Sequence, residues 1–129
     1  MKLCRIGELG KEKPAIIDKD GSYKDLSSAI SDLNPESLNF ETIEKIKKLK
    51  IKDLQTLDAN SRVGACVSNP SKFLGIGLNF KDHATEQNLP IPKEPIIFSK
   101  FTNCIVGPND NIEVPKNSNH TAVSYTHLT

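Results

Sequence analysis

The sequence predicts an α+β fold built in two parts, and three patterns carry that prediction. Polar and apolar residues alternate over Lys2 to Ile6, and Ala15-Ile16-Ile17 follows a stretch containing glycine and proline, as in a β-hairpin. Between Asn39 and Leu49 the apolar residues Ile43, Ile46 and Leu49 recur three apart, while Glu44, Lys45, Lys47 and Lys48 take the other faces, as in an amphipathic helix. From Phe73 onward, short apolar runs are punctuated by proline and glycine turns, so the chain changes to short strands. With 36% hydrophobic and 26% charged residues, a chain of 129 residues can bury a compact core.

In chain order, the hairpin leads into a turn at Asp18-Lys19-Asp20-Gly21 and a short strand over Tyr23 to Leu26. Ser27 or Ser28 is then placed to cap a brief helix holding Ala29, Ile30 and Leu33, which Pro35 ends. The helix of Asn39 to Leu49 follows. A polar stretch from Leu57 to Arg62 leads into Val63 to Val67, and Ser68-Asn69-Pro70-Ser71 is a break. The expected domains are therefore a small amino-terminal α/β domain over 1–70 and a second over 71–122. The second is expected to hold strands at Phe73 to Ile76, Pro95 to Phe98, Asn103 to Val106 and Ile112 to Val114.

Charge and cysteine usage exclude several functions. Seventeen basic and sixteen acidic residues leave a net charge of +1, which provides no field to recruit nucleic acid or an anionic membrane. The lysine-rich end of the helix, Lys47 to Lys52, accordingly reads as a solvated face. Met1 to Gly10 contains Lys2, Arg5 and Glu8 and no apolar run suited to a signal peptide, so the expected compartment is cytoplasmic. Cys4, Cys66 and Cys104 are odd in number and widely spaced, against a disulfide framework or zinc knuckle; reduced, buried, small-residue roles are expected. The Asn119-His120-Thr121 sequon then has no use.

The chemistry is concentrated in Gly75-Ile76-Gly77-Leu78-Asn79-Phe80-Lys81-Asp82-His83-Ala84-Thr85-Glu86, where a strand ends at glycines and a polar segment follows. Asn79 is placed to cap a short helix that would bring His83 and Glu86 onto one face. A carboxylate that fixes the imidazole tautomer and stabilises its protonated form makes histidine an effective general base toward water. Taken as pattern alone, a His-x-x-Glu pair on a helix is more often a solvated side-chain contact. Gly77, and less clearly Gly75, are backbone-turn candidates where positive φ or close substrate approach would require glycine. The glycines do not form a dinucleotide fingerprint, because Phe80 stands where the third is needed. Pro90 to Pro95 reads as a stiff loop, and Gly107-Pro108-Asn109-Asp110 as a tight turn whose Asp110 is a metal-ligand candidate without a partner carboxylate. Cys104 and Lys100 lack any adjacent base that would mark a nucleophile.

Gly77-Leu78-Asn79-Phe80, Asp82-His83, Glu86, Pro90-Ile91-Pro92, Pro95 to Lys100 and Gly107 to Asp110 together resemble, in order and spacing, the start of the fumarylacetoacetate hydrolase catalytic domain. The leader from Lys2 to Val67 resembles the small amino-terminal domain of a bacterial-type branch. The resemblance implies a mixed β-roll, usually homodimeric, using Mg²⁺ or Mn²⁺ on a small-molecule 2-oxo or 2,4-dioxo acid. It implies His83 as general base, Glu86 as the carboxylate orienting it, Asn79 at the pocket rim and Lys100 as a recurrent lysine near substrate. The expected reaction is hydrolysis of a carbon–carbon bond in an acylpyruvate or diketo-deoxy sugar acid. The alternatives are ureidoglycolate lyase or dienedioate isomerase or decarboxylase chemistry, or a non-catalytic binding or scaffold role. The family's metal-binding carboxylates, a Glu-x-Glu pair and a later aspartate, would follow Thr121, so no metal ligand is assigned here. Val123 to Thr129 resembles one reading frame of a transposon-end sequencing adapter, which makes 123–129 an expected non-native tail and the chain an expected inactive fragment.

Overall fold

The computed structural model describes residues 1–114, 116 and 117. Its described residues form a mixed α/β structure with two small sheets and few helices. The sequon at 119–121 and the expected tail at 123–129 lie outside them. The described residues divide into two compact units, 1–68 with those from 106 onward, and 69–105. The described residues from Val106 therefore group with the amino-terminal part, whereas the sequence division runs from 71 to 122.

In the first unit, β1 (Leu3–Ile6), β2 (Lys13–Ile17) and β3 (Tyr23–Asp25) form an antiparallel sheet in that order. Leu3 faces Ile16 and Ile6 faces Lys13, so Lys13 and Pro14 belong to the strand and not to the preceding turn. The predicted turn is closed by the Gly21 amide donating to the Asp18 carbonyl at 3.1 Å, with Gly21 at φ +86, a left-handed value that favours glycine. Outside the strands, the Gly7 amide donates to the Arg62 carbonyl and the Gly64 amide to the Arg5 carbonyl, so residues 62–64 run beside β1.

The predicted amphipathic helix is α1 (Phe40–Lys47). Asn39 caps it, its side-chain oxygen accepting the Thr42 amide at 2.9 Å. Glu41 in the first turn and Lys45 and Lys47 in the last suit the helix dipole. Ile46 is the helix's fully buried residue, while Lys45, Lys47 and Lys48 lie on its exposed face. Ile46 joins Ile16, Leu26, Ile30 and Leu33 in one apolar cluster, and Cys4, Ile6 and Ala15 form a second.

Four expectations are corrected. The segment from Ser27 to Leu33 is a single turn and not a helix: the Ser27 amide donates to the Asp25 carboxylate, Ile30 closes one turn on Leu26, and Asp32 turns away to Arg5. Asn103 to Val106 is not a strand, because the Cys104 and Ile105 amides bond back three residues in a 3₁₀ turn at Thr102–Cys104. Ile112 to Val114 is exposed and forms no strand among the described residues. Cys4 is buried as expected, and burial pushes its thiol pKa up, but Cys66 and Cys104 are exposed.

Candidate functional site

The second unit is built on an antiparallel pair, β4 (Phe73–Gly77) and β5 (Ile96–Lys100). One face carries Leu74, Ile76, Ile97 and Ser99; the other carries Phe73, Gly75, Gly77, Ile96, Phe98 and Lys100. Gly75 lies opposite Phe98, and a β-carbon there would sit 2.7 Å from Cε2 and 2.9 Å from Cε1 of that ring. Gly77 lies opposite Ile96, with a β-carbon 3.3 Å from Cγ2. Neither glycine has positive φ, so the expected left-handed turn at Gly77 is absent. Close approach is the reason for glycine, and Gly75 is the tighter of the two.

The left-handed residue is instead Leu78, at φ +48, an unusual conformation for a bulky side chain. With the bend taken there, α2 spans Lys81–Glu86 and its N-cap is Phe80 in extended conformation. Asn79 is therefore not the cap, and Phe80 has no oxygen with which to replace it. Ala84 is the buried residue of α2, and Asn88 at φ +53 follows its end.

Those turns place His83 and Glu86 on one exposed face of α2. Nδ1 of His83 lies 3.6 Å from Oε2 of Glu86, with the two side chains 53% and 75% exposed. That separation is longer than a hydrogen bond, so the carboxylate lies beside the ring without holding it. Lys100, at the end of β5, places Nζ 5.6 Å from the Phe98 ring centre and 5.8 Å from that of Phe73. Cation–π attraction thus holds the ammonium on the face where Gly75 leaves room for Phe98. The expected residues fall into two local groups, His83 with Glu86 on α2, and Lys100 with Phe73, Phe98 and Gly75 on the sheet.

Gly107 to Asp110 is the tight turn read from the sequence, closed by the Asp110 amide donating to the Gly107 carbonyl at 3.2 Å, and the Asp110 side chain is an ion-pair partner inside the first unit. Arg62 donates to it through Nε at 2.7 Å and Nη2 at 2.5 Å, and the Gly107 amide donates to Oδ2 at 2.7 Å. Arg62 also reaches Glu12 Oε1 at 2.7 Å; Arg5 reaches Glu12 Oε2 at 3.3 Å and Asp32 through two bonds of 2.7 and 3.1 Å. Burial pulls the Glu12 and Asp32 carboxyls upward, but their arginine partners outweigh it and leave both below their ordinary values. The Arg62 guanidinium lowers Asp110 likewise, and the two carboxylates raise Arg62. The sequence reading singled out none of Arg5, Glu12, Asp32 and Arg62, since residues so far apart show no shared spacing. Among the described residues, no three of His, Cys, Asp or Glu converge to hold a metal ion. Among them too, no helix is long and apolar enough to cross a membrane.

Residues 72–125 match the model of the fumarylacetoacetate (FAA) hydrolase C-terminal domain. A protein of Burkholderia lata named "Putative hydrolase" is 45% identical over 118 residues, covering 92% of this chain and 42% of the relative. A similarly named protein of Burkholderia multivorans is 46% identical with the same coverage. The chain thus spans 42% of the length of these relatives. The crystal structure described as that of a "putative HpcE protein" from Mycobacterium smegmatis superposes with a TM-score of 0.56 at 22% identity, over 86% of this chain and 40% of that one. That likeness shows a shared fold. Residues 72–125 thus match the fumarylacetoacetate hydrolase family's C-terminal domain, and the chain is similar over most of its own length to proteins named as hydrolases.

Proposed function

We propose that this chain supplies the general base of a hydrolase that cleaves a carbon–carbon bond in a 2,4-dioxo acid, an acylpyruvate or a diketo-deoxy sugar acid. The observation that supports it is the approach of Glu86 to Nδ1 of His83 on a helix inside the family segment. With the carboxylate against Nδ1, that nitrogen carries the proton and Nε2 is left to accept one from water. The attacking oxygen then adds to the distal carbonyl carbon; as the adduct collapses to a carboxylic acid, the bond between that carbon and its neighbour breaks, its electron pair leaves as an enolate, and the proton held by His83 returns to that enolate carbon. For this role the 3.6 Å separation must shorten by a few tenths of an ångström, a tightening common when substrate binds. Lys100, whose ammonium lies over Phe73 and Phe98, is on this reading the cation that meets the acid end of the substrate, and Asn79 the pocket rim.

The family resemblance implies Mg²⁺ or Mn²⁺ to stabilise the enolate. The described residues do not compose such a site, so no step is derived through the cation. The same reading makes the enzyme a cytoplasmic homodimer with a mixed β-roll.

In an enzyme of the relatives' length built on this chain, His83→Ala is expected to lower turnover by about a hundredfold or more, and Glu86→Gln to lower it strongly, with substrate affinity changing less. Near-parent rates for both variants would leave His83 and Glu86 as a solvated surface pair. The 129-residue chain alone is expected to show neither acylpyruvate turnover nor specific Mg²⁺ binding by calorimetry. Micromolar binding together with turnover would refute that expectation.

A further inference from the structure

We propose that Arg62 and Asp110 form a polar latch that docks the segment Val106 to Asp110 onto the first unit and releases it without unfolding that unit. Two observations separate the latch from the core. Among the described residues, the apolar clusters of the first unit draw on Leu3 to Val63 and on none of those from 106 onward. The one large apolar side chain of the segment, Val106, is exposed, so its attachment gains little from apolar burial. What holds it is ionic and steric. Arg62 grips Asp110 through two parallel bonds, and Asp110 in turn accepts the Gly107 amide. Gly107 fits because it has no side chain: a β-carbon would strike the Val63 carbonyl and lie 2.9 Å from Asp110 Oδ2.

The anchor side of the latch is rigid. Arg62 is fixed through Glu12 at 2.7 Å and through its own carbonyl, which accepts the Gly7 amide at 2.9 Å. Glu12 is held by Arg5, and Arg5 by Asp32, so these charges keep their partners when Asp110 leaves. The docking contact is one carboxylate against the Arg62 guanidinium, an interaction that salt screens and acid neutralises. Local opening of this kind belongs to the low-stability end of a structure, where few apolar contacts are lost.

The test is amide hydrogen exchange on the 129-residue chain. Asp110→Asn, which keeps an oxygen for the Gly107 amide but breaks the paired bonds to Arg62, is expected to speed exchange of that amide by about tenfold or more, while the Ile16 and Leu26 amides keep their rates. In the unaltered chain, raising NaCl from about 0.05 to about 1 M should speed Gly107 exchange in the same selective way. An unchanged Gly107 rate in both arms would overturn the latch. So would acceleration of Gly107, Ile16 and Leu26 together, or loss of folding in Asp110→Asn, because either would make the segment part of the unit's cooperative core.

Discussion

Replacing Glu12 by glutamine tests the ion network at its centre. The Glu12 side chain is 4% exposed and accepts from Arg62 at 2.7 Å, Arg5 at 3.3 Å and the Gly10 amide at 3.0 Å. Glutamine keeps the shape and one acceptor oxygen, but turns an NH₂ donor toward a guanidinium donor. A hydrogen bond to a charged group contributes about 1.5–3 kcal/mol, and the 3.3 Å contact belongs at the weak end. Arg5 keeps Asp32 and Arg62 keeps Asp110, so neither arginine is stranded, and the cost stays below the ~3–5 kcal/mol of stripping a buried pair. The expected loss is about 2–3 kcal/mol at neutral pH, measured by urea denaturation followed by far-ultraviolet circular dichroism. The sign with pH follows from the direction of the shift. Glu12 titrates below its ordinary 4.5 in the folded chain, so its contribution is complete above that value and is lost as pH falls through the lower folded one. Asp32 and Asp110 titrate in both proteins, so the gap between them isolates Glu12. A gap under about 0.5 kcal/mol at neutral pH, or one that does not shrink in acid, would refute the assignment.

Two further substitutions probe the packing. Gly75→Val should destabilise the β4–β5 pair by about 1–3 kcal/mol through collision with the Phe98 ring, and Phe98→Ala in the same chain should recover part of the loss; equal losses with and without Phe98 would show that the ring is not the obstacle. Ile46→Ala should cost about 2–5 kcal/mol, since Ile46 is the fully buried residue that seats α1 on the core; denaturant midpoints that barely move would mean the helix docks through other residues.

The site divides in the same way as these tests. Its segment was legible because glycines, a polar run and a His-x-x-Glu spacing lie within twelve consecutive residues, and residues three apart on a helix must face the same way. The start of α2 was misplaced by one residue because a left-handed leucine has no sequence signal: the rule assigns such turns to glycine or asparagine, and Gly77 stood next to it. Gly75 was ranked below Gly77 because what limits it is Phe98, a cross-strand neighbour 23 residues away in the chain.

By itself, the sequence determined those elements whose cause is local. Alternation over Lys2 to Ile6 placed β1, the threefold spacing of Ile43, Ile46 and Leu49 placed α1, and the apolar runs near Phe73 and Ile96 placed β4 and β5. Each depends on a period that neighbouring residues set through backbone geometry. Tertiary structure alone decided which charges are buried and what the ambiguous segments became. Arg5 meets Asp32 across 27 positions, Arg62 meets Glu12 across 50 and Asp110 across 48, and no periodicity links such residues. The turn at Ser27 to Leu33 follows from the same fact. Its apolar residues satisfy a helix pattern and are buried as that pattern requires, but Asp32 gains more from a buried guanidinium than from one further helical turn.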